Sequence, residues 1–101
     1  MGIDVQLRAE DGVVLEEVGD DHFVLSKVAD RTFSGTRLLK YLLPWGDAVF
    51  NQAQAPDLAS DIHDICGNHE GTPVADHLRK IAPLVDRLSD EVHTYLWFVG
   101  D

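Results

Sequence analysis

Hydrophobic and polar residues alternate from Ile3 to Arg8, with Ile3, Val5 and Leu7 on one face and Asp4, Gln6 and Arg8 on the other. That period of two predicts a half-buried β-strand. Asp11-Gly12 then signals a turn. A three-residue loop of Glu10, Asp11 and Gly12 puts the glycine where a left-handed residue is wanted, and sets Leu7 opposite Leu15 and Ala9 opposite Val13. A two-residue Asp-Gly loop would set Leu7 opposite Glu16 and mix the faces. The longer loop is therefore expected, with a second strand at Val13 to Val18 ended by Gly19, Asp20 and Asp21.

Further on the period lengthens. The stretch FVLSKV within residues 22 to 31 suits a strand or a helical turn capped by Asp21, and the turn is preferred. A helix is predicted from Thr36 to Leu43, with Leu38, Leu39, Tyr41 and Leu42 inward and Pro44 as its stop. Trp45 to Gln54 reads as a polar interruption with two aromatic anchors, Trp45 and Phe50; Asp47 is placed to cap a turn there, and Asn51 to bond neighbouring backbone. The next helix is predicted over Pro56 to Cys66, with Leu58, Ile62, Ile65 and Cys66 facing in, Asp57, Asp61 and Asp64 facing out, and Gly67-Asn68 as its end. Thr72-Pro73 opens a last helix whose buried stripe is Val74, Leu78, Ile81, Val85 and Leu88, with Pro83 expected to kink it.

The tail HTYLWFVG, from His93 to Gly100, is short and rich in aromatic and β-branched residues, which predicts a strand. It has no polar face. Tyr95, Trp97 and Val99 must then meet protein from this chain or form a subunit contact, which opens a homodimer as one reading. The expected architecture is a single α+β domain over residues 1–101: a three-stranded, mainly antiparallel sheet of the N-terminal hairpin and the C-terminal strand, covered on one face by three or four helices.

Charge narrows the function. The chain of 101 residues carries a formal net charge of -10, and residues 1–21 hold seven acids against Arg8 alone. Nucleic acid and anionic membrane surfaces are disfavoured as partners, since both reward a basic face; a basic protein is favoured. No apolar run approaches the roughly 18 residues that span a bilayer. Met1 to Leu7 lacks the basic start of a secretion signal, and Cys66 is the only cysteine, so a reducing, cytoplasmic setting is expected.

Three stretches, MGIDVQL, PWGDAVFNQAQAPDL and HTYLWFVGD, resemble a set of small bacterial proteins of uncharacterised function. Those proteins open with M-G-x-D, carry a Pro-aromatic-Gly-Asp-x-Val-Phe-Asn stretch and end in an aromatic strand closed by Gly-Asp. The resemblance covers about a third of the chain. It implies a shared fold, brings no activity, and points to Gly46, Asp47, Phe50, Asn51 and Asp101.

Four constellations bear chemistry. His63, Cys66 and His69 are spaced H-x2-C-x2-H, with Asp61, Asp64 or His77 as a further donor for zinc, although the spacing crosses a helix end. Cys66 as a nucleophile is disfavoured by its place at a helix C-terminus. Asp47, His93 and Asp101 form an acid-base group if the last strand lies beside the central stretch. Asp57, Asp61 and Asp64, with Glu16, Glu17, Asp20 and Asp21, offer an acidic surface to a basic partner. The expected function is a non-catalytic, protein-binding one through that surface and the Asp47 and Asn51 loop, with no cofactor. The alternative is a small enzyme or metal-binding protein using the histidine clusters.

Overall fold

The alternating N-terminal segment forms β1 (Ile3–Ala9), with Ile3, Val5 and Leu7 wholly buried. The computed structural model describes residues 2–20, 23–28 and 31–100. The hairpin turn is the three-residue loop: Gly12 adopts φ +93°, its N–H donates to Ala9 O at 2.9 Å, and Ala9 N–H donates to Val13 O at 2.9 Å. Beyond the turn the expected register fails. β2 (Val14–Val18) sets Val14 against Arg8 but Glu16 against Leu7, so Leu15 is the extra residue of a β-bulge. The bulge turns Glu16 toward the helices, where Arg87 Nη1 lies 3.8 Å from its carboxylate.

The tail is a strand, β4 (Thr94–Gly100), paired antiparallel with all of β1 from Ile3↔Gly100 to Ala9↔Thr94. The sheet has four strands where three are expected. Asp47 does not cap a turn; it starts β3 (Asp47–Phe50), which pairs antiparallel with β4 and completes the order β2-β1-β4-β3. Four residues at a sheet edge, of which only Phe50 is buried, carry too short a pattern to reveal their period. Phe50 meets Phe98 edge to face at 5.6 Å. Trp45, expected to pack beside it, is 68% exposed in the turn before β3.

Three α-helices lie among the described residues. α1 (Val24–Val28) is the short helical turn anticipated, capped by Asp20, whose Oδ1 accepts from Leu25 N–H at 2.9 Å and whose Oδ2 accepts from Ser26 N–H at 3.3 Å. The same Oδ2 accepts from Ile3 N–H at 2.8 Å and ties the helix to the sheet. Asp21, the expected cap, lies outside the described residues.

α2 (Ala55–Asn68) buries Leu58, Ile62 and Ile65, leaves Cys66 half-buried, and runs through Gly67 and Asn68 to a turn closed by Gly71 at φ +79°. α3 (Pro73–Asp90) begins where Thr72 Oγ1 accepts from Ala75 N–H at 3.4 Å. It buries the whole expected stripe together with Ala75, His77 and Leu84. It continues through Pro83, which lacks the N–H that would bond the Arg79 carbonyl; both residues lie on the exposed side of the helix. α3 packs against the sheet and α2 packs against α3.

The helix predicted over Thr36 to Leu43 shortens to a 3-10 turn at Leu39–Tyr41. Leu39 and Leu42 are buried by that turn alone, while Tyr41 points to solvent beneath Lys40 Nζ at 5.3 Å. A short isolated helix must repay its nucleation cost through packing, and Pro44 leaves this one no length to do so. The segment is held from outside instead. Asp61 on α2 accepts at Oδ1 from Arg37 N–H at 3.0 Å, and at Oδ2 from Leu38 N–H at 2.8 Å and Leu39 N–H at 3.2 Å.

Candidate docking face

The pleat sorts the sheet into two faces. Ile3, Val5, Leu7, Phe50, Leu96 and Phe98 turn toward the helices and are buried. On the other face Glu17, Gln6, Trp97 and Val49 lie in register across the strands, as do Asp4, Val99 and Asp47 in the next row and Val14, Arg8 and Tyr95 in the row beyond. Asp4, Glu17, Val14, Asp47 and Val49 are exposed there, and Tyr95, Trp97 and Val99 are half-exposed. β4, a central strand, therefore shows solvent an apolar strip three residues long.

That strip is braced rather than loose. The Arg8 guanidinium lies 4.2 Å above the Trp97 ring, a cation-π stack. Gln6 Oε1 accepts from Arg8 Nε at 2.8 Å and from Nη2 at 2.6 Å, and the Gln6 amide donates to Glu17. At the other end Asp4 Oδ1 accepts from Asp20 N–H at 3.1 Å, which orients its carboxylate. Toward the hairpin the face dips into a cavity of about 330 Å³ lined by Ala9, Glu10, Gly12, Val49, Tyr95 and Trp97.

The acidic face expected on α2 does not form as drawn. Asp61 is only 3% exposed, turned inward to hold the 37–39 backbone. Asp57 pairs with Arg37 at 3.6 Å, leaving Asp64 as the exposed acid at the far end of the row. The reason is that the uncapped 36–42 segment needs acceptors, and a helix carboxylate one turn along supplies them. Asn51 and Gln54 form a capping box around the 3-10 turn at Gln52–Gln54: Asn51 Oδ1 accepts from Gln54 N–H at 3.2 Å, and Gln54 Oε1 accepts from Asn51 N–H at 2.9 Å. Asn51 is thus spent on local structure.

Asp47 and His93 are not brought together. They sit at opposite ends of β4, roughly 20 Å apart at about 3.3 Å per residue. Asp101 lies outside the described residues. His93 is exposed at φ 60°, with Nδ1 3.4 Å from Glu10 Oε2. His63 and Cys66 share a groove of about 300 Å³ between α2 and α3, whereas His69 opens onto a separate apolar groove below α1. Among the described residues no group of three or more His, Cys, Asp or Glu is arranged to hold a metal ion, and no helix is long and apolar enough to cross a membrane.

Burial pushes the Cys66 thiol above its ordinary value; Arg79 opposes this, and Glu70 and Asp76 add to it. The thiol stays protonated at neutral pH. Alkylation by iodoacetamide at about pH 7.5 is expected to run more slowly than for free cysteine. A rate against pH profile read by mass spectrometry should show its midpoint displaced to higher pH; a midpoint at or below that of free cysteine would remove burial as the controlling cause.

The chain matches no family model, and neither a curated protein nor a solved structure matches it significantly.

Proposed function

We propose that this chain is a non-catalytic, cytoplasmic protein-binding module that docks a basic partner on the open face of its sheet. The observation that carries the reading is the half-exposed strip Tyr95, Trp97 and Val99: an antiparallel sheet commonly leaves one face to water, but that face is then polar, whereas here its central strand presents apolar side chains. Aromatic side chains on a rigid sheet, with Trp97 already held beneath the Arg8 guanidinium, lose little freedom on binding and suit an interface core. The sign of the surroundings supports a basic partner: Asp4, Glu17 and Asp47 outnumber Arg8 on that face, in a chain of net charge -10. The acidic surface anticipated on α2 is thereby moved to the sheet.

A homodimer through Tyr95, Trp97 and Val99 uses the same strip. It sets like-charged chains face to face, which salt would relieve. Sedimentation at low and high salt separates the two readings. A monomer at both supports a foreign partner, and a dimer that strengthens at about 0.5 M salt supports self-association.

The partner is sought with immobilised chain in lysate. A protein of basic pI, released by salt, retained by an Asp64→Asn control and lost with Trp97→Asp, is the expected result. Equal capture by the Trp97→Asp form would place the docking surface elsewhere.

A further inference from the structure

The layout of the open face says what shape of partner fits it. Asp4 on β1 and Asp47 on β3 both stand in register with Val99, one on each side of β4 and both on the outer face. Two strand spacings separate them, roughly 10 Å. An α-helix with its side chains is about 10 to 12 Å across. Along β4 the strip advances roughly 7 Å from Tyr95 to Trp97 and again to Val99, close to the roughly 6 Å between positions i and i+4 of a helix.

We infer that the occupant is a basic amphipathic helix lying along β4, its apolar stripe on Tyr95, Trp97 and Val99, and a Lys or Arg from each flank reaching Asp4 and Asp47. This rests on the docking-face reading above and deepens it. An extended strand laid on the face turns a single row of side chains toward the sheet and leaves the two flanking carboxylates without partners. A helix serves both flanks at once.

The face also gives the helix a direction. Asp4 and Asp47 flank the Val99 end on both sides; Glu17, in the middle row, is taken by the Gln6 amide, and at the Tyr95 end Glu10 lies 3.4 Å from His93 while Arg8 stacks on Trp97, so that end favours cations less. The basic residues of the partner therefore gather at the end lying over Val99.

The test uses a synthetic helix of about five turns, with a Leu and Trp stripe flanked by lysines at one end, and a counterpart with glutamate in place of lysine. Each is titrated into the isotope-labelled full chain while backbone amide shifts are followed. The lysine peptide is expected to shift amides of β1, β3 and β4. Asp4→Asn with Asp47→Asn should weaken it roughly tenfold, while Asp57→Asn with Asp64→Asn leaves it unchanged. Asparagine at position 4 keeps the oxygen that accepts from Asp20 N–H, so the fold is preserved, and unperturbed shifts elsewhere verify this.

If both peptides bind the sheet face equally, the flanking-carboxylate inference fails and the docking face stands. Where neither peptide moves the sheet amides, the docking face fails as well. Shifts gathered on α2 overturn both.

Discussion

Asp61→Ala is expected to lower the free energy of unfolding by about 3 kcal/mol, a large loss for a chain of this size. The carboxylate is buried and accepts from the N–H groups of Arg37, Leu38 and Leu39. These are the donors that a helical start leaves without intrahelical acceptors. Alanine leaves them facing a small void, and each buried donor without a partner costs about 1 to 3 kcal/mol. Solvent reaches Arg37 and Leu38 in part, which keeps the total below the simple sum. Asp61→Asn should recover little, because one of its two positions becomes an NH2 group facing another donor.

Urea denaturation measures the loss as a lower midpoint at unchanged slope. Hydrogen exchange should quicken first at the amides of residues 37–39. A change below about 0.5 kcal/mol, the level of an ordinary surface substitution, would show that the 31–42 segment is held by its buried side chains Phe33, Leu39 and Leu42 rather than by this carboxylate.

Asp61 also marks where the sequence could be read and where it could not. Alternation at Ile3 to Leu7, the Thr72-Pro73 start and the stripe from Val74 to Leu88 were legible, because each is a local period tied to one buried face. The meeting of the chain ends followed, since a tail apolar on both sides needs a central place. What escaped was decided across long sequence separations. Asp61 has the helical position of a solvent-facing acid relative to Asp57 and Asp64, and only the neighbouring 37–39 backbone makes it a clamp. Leu15 looks like a core residue by spacing, but the bulge removes it to the edge. Asp47 to Phe50 holds too few residues to betray a strand without β4 beside it. For the candidate site, the strip Tyr95, Trp97 and Val99 was visible as unexplained apolar surface; its carboxylate flanks required the register of three strands.

Gly100→Ala is expected to cost about 3 kcal/mol, at the upper end for overpacking. A Cβ there would lie 2.5 Å from Leu43 O, 2.5 Å from Gly46 O and 2.6 Å from Gly46 N. All three are backbone atoms, so no rotamer change relieves the contact. Gly100 N–H also donates to Gly46 O at 3.0 Å, which pins the turn that leads into β3 to the end of β4. Either that turn moves out or the strand end peels from Ile3, its partner on β1. Gly67→Ala is the control. Gly67 lies inside α2 with nothing within 4 Å of its would-be Cβ, and there alanine should add about 0.5 to 1 kcal/mol. Thermal unfolding of the two variants should therefore shift in opposite directions. The first should also blunt binding at the Val99 end, because the displaced turn carries Asp47 with it. A stable Gly100→Ala chain with unchanged amide shifts at Gly46 and Asp47 would mean that this close approach is relaxed in solution, and that the position of the Asp47 carboxylate is set by β3 pairing alone.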